Sequence, residues 1–189
     1  MVRQYDTSRR RQAAEQTRER ILKAALKLHW EGITEYEPLA REAGCSLPTL
    51  YKHFPTKESL FRQCTSTVAE SLTMPDLTAL AVIAEPEQRL EEAVSELCRI
   101  HEAMFGYAWT CVLLRGESPT LDSELTAYEG LTDAITEILA LEMGRKAAVI
   151  RGLLDFLTYR ALRLSGGLSR LEAREELINS VRPLTLSDE

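Results

Sequence analysis

The chain has 189 residues, of which 44% are hydrophobic and 28% charged, as is ordinary for a soluble globular protein of one or two domains. No run of 18 apolar residues occurs, so no membrane-spanning helix is expected, and the N-terminus carries no apolar signal core, so we expect a cytoplasmic protein. The 9 glycines and 7 prolines stand mostly between periodic segments, which favours helices with short connections.

The net charge of −6 hides an asymmetry along the chain. Residues 1–64 hold 12 Lys+Arg against 8 Asp+Glu, a net of +4, whereas residues 65–189 hold 11 against 21, a net of −10. A basic N-terminal end and an acidic remainder favour binding to DNA in one orientation. The four cysteines, Cys45, Cys64, Cys98 and Cys111, form no CxxC motif, so we expect reduced thiols.

The N-terminal residues 1–11 end in three consecutive arginines, Arg9 to Arg11. They have two interpretations that are compatible: a frayed, solvated terminus in the free protein, and an arm that contacts phosphate or the minor groove once DNA is bound. A long helix is predicted from Gln12 to Glu31, because apolar residues recur at helical spacing, and Gly32 ends it.

Three short helices are predicted in quick succession from Thr34 onward. The Thr34-x-x-Glu37 pattern predicts a capping box, and Gly44 permits a sharp turn. Ser46 then caps a helix over residues 46–53 whose Leu50 faces inward. This layout is that of a helix-turn-helix at about residues 34–53, whose second helix enters the major groove of DNA.

The stretch from Ala40 to Leu60, AREAGCSLPTLYKHFPTKESL, resembles the signature of TetR-type (TetR/AcrR) helix-turn-helix transcriptional regulators, and Arg20 to Leu28 is similar to the first helix of that family. The match covers residues 17–64. The resemblance implies an all-α fold, with a DNA-binding domain at 12–64 and a helical effector-binding and dimerisation domain at 65–189. It also implies a homodimeric repressor that a small-molecule effector releases from a palindromic operator, without a cofactor.

Nine residues of the N-terminal domain are predicted to contact DNA. Thr49 can hydrogen-bond a base edge, and by resemblance Tyr51 and His53 bind phosphates, although both could instead be half-buried packing residues. Lys57 is predicted to be the first residue of a helix, where its positive charge opposes the helix dipole unless an anion binds there. The alternative is a solvated lysine without a contact. The candidates are Thr34, Ser46, Leu47, Pro48, Thr49, Tyr51, Lys52, His53 and Lys57.

The remainder of the chain is predicted to be helical throughout. A helix that begins at Lys57 breaks at Met74–Asp76, and Pro86 opens the next one. The predicted segments beyond it are 86–106, 107–115, 121–143, 147–164 and 169–182.

Two candidate sites lie in this second half. An effector pocket is predicted from residues with apolar bodies and a few polar groups, although helical spacing of this kind is also typical of plain core: Leu97, His101, Met104, Trp109, Cys111, Leu113 and Tyr128. By resemblance the last two long helices form a four-helix dimer interface, and a single-chain core is the alternative. Its candidate residues are Ala148, Gly152, Leu153, Phe156 and Tyr159.

Enzymatic and metal chemistry find little support. Cys98 and His101 are three residues apart and could bind a soft metal, but a buried structural role is favoured and no metal site is predicted. No nucleophile elbow, P-loop, HExxH or GxGxxG motif occurs, so the chain is not predicted to be an enzyme. The competing hypotheses are a helical small-molecule-binding protein or enzyme without DNA binding, and a non-specific DNA-packaging protein.

Overall fold

A computed structural model describes residues 3–140 and 145–186, and over these residues the protein is all-α without a strand, which confirms the predicted fold class. The helices within these ranges are α1 (Arg3–Trp30), α2 (Tyr36–Glu42), α3 (Leu47–His53), α4 (Lys57–Ser71), α5 (Leu77–Ala81), α6 (Pro86–Ala103), α7 (Phe105–Leu113), α8 (Pro119–Ala140), α9 (Arg145–Leu153), α10 (Phe156–Leu164) and α11 (Arg170–Thr185). None of these helices combines the length and the apolar character that crossing a bilayer requires.

The chain forms two compact units. Unit 1 comprises Met1–Ser71 and Trp109–Glu124, and unit 2 comprises Leu72–Ala108 and Leu125–Glu189. In unit 1, α1 packs on α2 and α4, and α2 packs on α3. The core between these helices is made of large, fully buried side chains, including Ile21, Leu39, Leu50, Phe54 and Leu60.

Helix α1 begins at Arg3, nine residues before the predicted start at Gln12. The expectation of a frayed terminus in the free protein was therefore wrong for the described residues 3–11, which are helical, and Arg9 to Arg11 lie exposed on that helix. The physical reason is that neither glycine nor proline interrupts residues 3–30, and arginine, glutamine and alanine are good helix formers.

The predicted capping box at Thr34 was wrong. The N-cap of α2 is Glu35, and no side chain caps that helix. Thr34 is only 4% exposed, with its backbone N–H 3.2 Å from a carboxylate oxygen of Glu35. Pro38 lies in the first turn of α2, where its missing N–H costs no hydrogen bond.

In unit 2, α11 packs along α6 and α9. Ser169 and Glu172 form a reciprocal capping box that begins α11, close to the predicted start. One predicted boundary was wrong: Gly106 lies inside α7 rather than ending α6, which stops at Ala103. The predicted segment from Leu121 begins two residues earlier, at Pro119, and its predicted end at Met143 and the stop at Gly144 lie outside the described residues.

The predicted single helix over 147–164 is two helices, α9 and α10. Asp155 is the N-cap of α10 and accepts a hydrogen bond of 2.8 Å from the backbone N–H of Leu157. Arg151 in turn donates to the Asp155 carboxylate at 2.9 Å. An aspartate in the middle of an apolar periodic run thus starts a new helix, because its short side chain competes for the backbone N–H groups.

Candidate DNA-binding interface

Helix α3 is held by one buried face and one capping residue. The Ser46 hydroxyl accepts the backbone N–H of Thr49 at 3.3 Å and lies 2.8 Å from the Thr49 hydroxyl. Gly44, in the turn before the cap, has a positive φ of 62°, a conformation that glycine adopts without strain because it has no Cβ atom. Leu50 is fully buried, which leaves the opposite face of α3 on the surface of unit 1.

The predicted contact residues of α3 differ in exposure. Ser46, Pro48, Tyr51 and Lys52 are exposed, whereas Leu47, Thr49 and His53 are half-buried. The helix is therefore available to a partner along its length. The individual roles of these side chains, base reading by Thr49 above all, remain predictions.

The start of α4 combines a capped helix N-terminus with a lysine. Thr56 accepts the backbone N–H of Ser59 at 3.1 Å, as predicted for a cap, and Lys57 is the first helical residue. The Lys57 ammonium donates to the hydroxyl of Thr34 at 3.4 Å. Thr34 is thus buried beneath this lysine rather than exposed as a contact residue of its own.

An open groove of about 410 Å³ lies in front of this lysine. The ammonium group and the N–H groups at the start of α4 favour an anion there, since both place positive charge at one point. The carboxylates of Glu35 and Glu37 oppose this preference, so the lysine side of the groove is the more favourable one for an anion. The groove is lined by Glu35, Tyr36, Glu37, Tyr51, Pro55, Thr56 and Lys57.

Tyr36 supports Tyr51 from below, a relationship that the sequence analysis missed. The two rings lie 4.9 Å apart at an angle of 56°, and Tyr51 is 49% exposed. The buried Tyr36 hydroxyl donates to the backbone oxygen of Phe54 at 3.0 Å. Burial, followed by the nearby Tyr51 and Cys64, raises the pKa of Tyr36 to about 12, so it stays a donor at neutral pH. Spacing alone gives no sign of this pair, because its members lie on different helices.

Arg18 ties α1 to the end of α3 and to α4. Its guanidinium carbon lies 4.6 Å above the centre of the Phe54 ring, and its Nη2 donates to the Gln63 side chain at 2.6 Å. The sequence analysis assigned no role to Arg18. A cation over an aromatic face stabilises the contact beyond its apolar area.

Glu58 joins the start of α4 to residues 118–120 of the same unit. Its carboxylate accepts the Ser118 hydroxyl at 2.6 Å, the backbone N–H of Thr120 at 3.0 Å and the Thr120 hydroxyl. The hydrogen bonds from Ser118 and then from Thr120 lower the pKa of Glu58, although burial opposes them. The residue next to Lys57 is therefore fixed as a carboxylate, which restrains the helix end that carries the lysine.

Comparison with known proteins places this geometry in a family. Residues 21–64 match the sequence model of the bacterial regulatory proteins of the tetR family. This segment of the chain therefore carries the sequence signature of TetR-family regulators. The matched residues contain α2, α3 and the first half of α4, so the family signature coincides with the exposed helix and the lysine groove.

Two relatives extend the match beyond this TetR-family segment. The HTH-type transcriptional repressor NicS of Pseudomonas putida strain KT2440 is 26% identical over 152 residues, which cover 79% of this chain. The match spans 66% of the length of that relative. A crystal structure of a TetR/AcrR-family transcriptional regulator from Aquifex aeolicus VF5 is 20% identical, covers 88% of this chain and 98% of its own, and has a TM-score of 0.50. That structural likeness concerns the fold.

The residues of the predicted effector pocket divide between the two units. Trp109, Cys111 and Leu113 belong to unit 1, and the other four, Leu97, His101, Met104 and Tyr128, are buried in unit 2. Two cavities of unit 2 are lined by other residues. An effector pocket formed by all seven remains a prediction.

His101 lies at the centre of the buried group in unit 2. Its Nε2 lies 3.0 Å from the backbone oxygen of Leu154, which can only accept, so Nε2 carries the proton. Nδ1 then accepts the Tyr128 hydroxyl. Both ring nitrogens are thereby occupied, which fits the favoured structural role better than a metal site with Cys98, whose pKa burial raises to about 12.

The predicted dimer residues also divide. Ala148 and Gly152 are exposed and Leu153 is half-buried, but Phe156 and Tyr159 are 4% and 1% exposed and pack against His101 within unit 2. Phe156 and Tyr159 therefore lie in the core of unit 2, and their contribution to a dimer interface remains a prediction. The break at Asp155 rotates the second half of the segment relative to a continuous helix, and Val149, Leu157 and Leu164 are exposed instead.

Proposed function

We propose that the protein is a sequence-specific, DNA-binding transcriptional regulator in which α3 enters the major groove of duplex DNA. The observation that carries this proposal is the exposed face of α3 beside Lys57, held by the buried Leu50 and the Ser46 cap. An exposed helix of this kind, next to a cationic helix N-terminus, fits a groove bounded by phosphates.

In this proposal positioning and reading are divided among different side chains. Lys57, Tyr51, Lys52 and His53 bind backbone phosphates and fix the register of the helix on the duplex. Thr49 contacts a base edge or a thymine methyl group, and Pro48 and Leu47 add apolar contact. Ser46 shares its hydroxyl with Thr49 and so sets the direction in which the Thr49 hydroxyl points.

The proposed active form is a homodimer that binds a palindromic operator. The exposed apolar surface of α9 and α10 supports it, because Val149, Leu157 and Leu164 are each about half exposed, and the small residues Ala148 and Gly152 permit close approach. Exposed apolar area of this kind marks an interaction surface. Two-fold symmetry would place two α3 helices about 34 Å apart, one turn of DNA.

The proposed regulation is repression that a small molecule relieves. NicS, which is similar to this chain, is a transcriptional repressor, and this supports repression rather than activation. The effector would bind unit 2 and favour the dimer geometry that fits the operator less well. It can shift that equilibrium only by its differential affinity for the two geometries. A cytoplasmic location follows from this proposal.

Selection of bound duplexes from a random pool tests the proposal. The expected result is an enriched inverted repeat, bound at least ~10³-fold more tightly than random duplex at equal salt. Equal affinity for selected and random duplexes would favour a packaging protein. Absence of salt-dependent binding to any duplex, including the region upstream of its own coding sequence, would favour a helical small-molecule-binding protein or enzyme.

A further inference from the structure

A cavity of about 560 Å³ lies within unit 2, between α6, α10 and α11. The sequence analysis did not single it out, and it shares no residue with the predicted effector pocket. Its volume lies in the range of small-molecule sites, about 300–1,000 Å³. Its lining carries three arginines, Arg99, Arg170 and Arg174, against one acidic residue, Glu102, so the cavity is cationic.

Glu102 offsets one of these three charges, since its carboxylate pairs with Arg170 and has further donors. It accepts the Tyr159 hydroxyl at 2.8 Å, Nε of Arg163 at 3.1 Å and Nε of Arg170 at 2.7 Å. Burial raises the pKa of Glu102, but the hydrogen bonds from Arg163 and Tyr159 outweigh that effect and lower it. Glu102 is thus a charged, fully partnered carboxylate at the edge of the cavity.

Arg99 is also partly committed. Its Nη2 atom donates to the Glu96 carboxylate at 2.6 Å and to the backbone oxygen of Thr73 at 2.7 Å. The Arg99 side chain is 41% exposed. Its guanidinium therefore adds positive charge at the mouth of the cavity but offers a ligand no buried contact.

Arg174 has a buried N–H group without an acceptor. Its Nε atom is buried, and none of the described residues accepts a hydrogen bond from it. A buried guanidinium N–H without an acceptor is unfavourable, because water has been removed and nothing replaces it. The Arg174 side chain as a whole is half-buried and lines the cavity, where its guanidinium can bind an anionic group in a planar, bidentate geometry.

Part of the cavity lining is apolar. Cys98, Ala103 and Leu171 line the cavity, and Leu171 is 54% exposed. The Tyr159 ring, whose hydroxyl is already bound to Glu102, adds an aromatic surface. Apolar walls around one unsatisfied cation are the arrangement expected for a ligand with an apolar body and one acidic group.

We propose that this cavity binds a small amphipathic organic acid, whose carboxylate pairs with Arg174 and whose apolar body contacts Cys98, Ala103 and Leu171. The regulatory part of this inference rests on the proposed function: such an acid is then the class of the effector. The binding site itself requires no DNA, and the two can be tested separately.

Binding is tested on the full chain in the absence of DNA, with 4-(trifluoromethyl)benzoate as the probe and fluorine NMR as the readout. Its neutral counterpart, 4-(trifluoromethyl)benzamide, has the same apolar body. The expected result is saturable binding of the acid and at least 10-fold weaker binding of the amide. Equal binding of acid and amide would overturn the proposal, since the charge would then play no part.

Variants locate the probe. Arg174→Gln is expected to weaken binding of the acid at least 10-fold, and Arg174→Lys less than Arg174→Gln, because the charge remains. Arg89→Gln is the matched control, since Arg89 is a half-buried arginine of α6 outside this cavity, and it should bind like the unsubstituted chain. Unchanged binding by Arg174→Gln would overturn the site. Because Arg174 Nε has no partner to lose, this variant is expected to fold, and circular dichroism checks it.

Operator binding separates the two proposals. If the acid binds with the expected dependence on Arg174 but leaves binding to a selected duplex unchanged, the site is supported and the effector role fails. If no duplex is ever selected, the regulator proposal fails while the binding result for the cavity is unaffected.

Discussion

The ammonium nitrogen of Lys57 lies 3.4 Å from the hydroxyl oxygen of Thr34, and Thr34 is almost completely buried. A flexible lysine at the start of α4 is thereby held by a rigid, β-branched residue from the connection before α2. The lysine remains exposed, so the same contact that directs it leaves its other donors available to a phosphate.

Removal of the Lys57 charge should weaken binding to every duplex. Lys57→Ala is expected to reduce the magnitude of the slope of log affinity against log salt by about one unit, because one phosphate contact is lost. Thr34→Val, which removes only the supporting hydroxyl, should weaken binding less and leave the slope unchanged. Titration of a selected duplex at several salt concentrations measures both. A larger loss for Thr34→Val than for Lys57→Ala would contradict this relationship.

Substitution of Thr49 should change sequence preference instead of overall affinity. Thr49→Ala removes the hydroxyl and methyl groups that are proposed to contact a base, so discrimination at one operator position should fall by about 1–3 kcal/mol. Selection from a random pool, repeated with this variant, measures the change. If Thr49→Ala and Lys57→Ala alter affinity and preference alike, the division between reading and positioning is wrong.

Glu58 should stabilise unit 1 through Ser118 and Thr120. Glu58→Gln replaces a charged acceptor by a neutral amide, and a loss of about 1–2 kcal/mol in the free energy of unfolding is expected from urea titration at pH 7. Because its folded pKa is lowered, this contribution is present above the unfolded pKa of glutamate and is lost as the pH falls through the folded value. Glu70→Gln, an exposed site on the same helix, is the control and should change stability little.

Acid should destabilise the protein between pH 6.5 and 4. Burial lowers the pKa of His29 and of His101 to about 4, helped at His29 by Lys57 and opposed at His101 by its hydrogen bond to Leu154. The two histidines bind protons near pH 6.5 in the unfolded chain, but only near pH 4 in the folded chain. Their contribution to the free energy of unfolding is therefore fully present above pH 6.5 and is lost as the pH falls from 6.5 to 4. Each histidine contributes up to ~1.4 kcal/mol per pH unit.

His29→Leu tests half of this effect. Both ring nitrogens of His29 lack a partner among the described residues, so the substitution loses no hydrogen bond and should reduce the pH dependence of unfolding in this window. Urea titrations at pH 7 and pH 5 measure it. An unchanged difference between the two pH values would contradict the assignment to His29.

A charge on the apolar surface of α10 should separate the proposed dimer. Leu157 is 48% exposed, and Leu157→Glu is expected to shift the protein to a monomer and weaken operator binding through the loss of the second half-site contact. Sedimentation at micromolar concentration measures the first effect. Val82→Glu is the matched control, because Val82 is a 74% exposed apolar residue of unit 2 outside α9 and α10. Identical sedimentation of both variants would contradict the proposed surface.

The sequence by itself determined the helices whose starts are set by local chemistry. Ser46, Thr56 and Pro86 mark the beginnings of α3, α4 and α6, because capping and a fixed φ act within one turn of the chain. The same local pattern identified the family and the inward side of α3 at Leu50.

Only the tertiary structure decided relationships between residues that are distant in sequence. Apolar spacing could not show that Phe156 and Tyr159 face the core while Leu157 faces outward, because both arrangements satisfy the same helical period. The Glu58 carboxylate bound to Thr120, and Arg174 without an acceptor, are likewise invisible in the sequence. The physical reason is that a side chain's hydrogen bonds depend on which helices pack against it, and no local propensity encodes that choice.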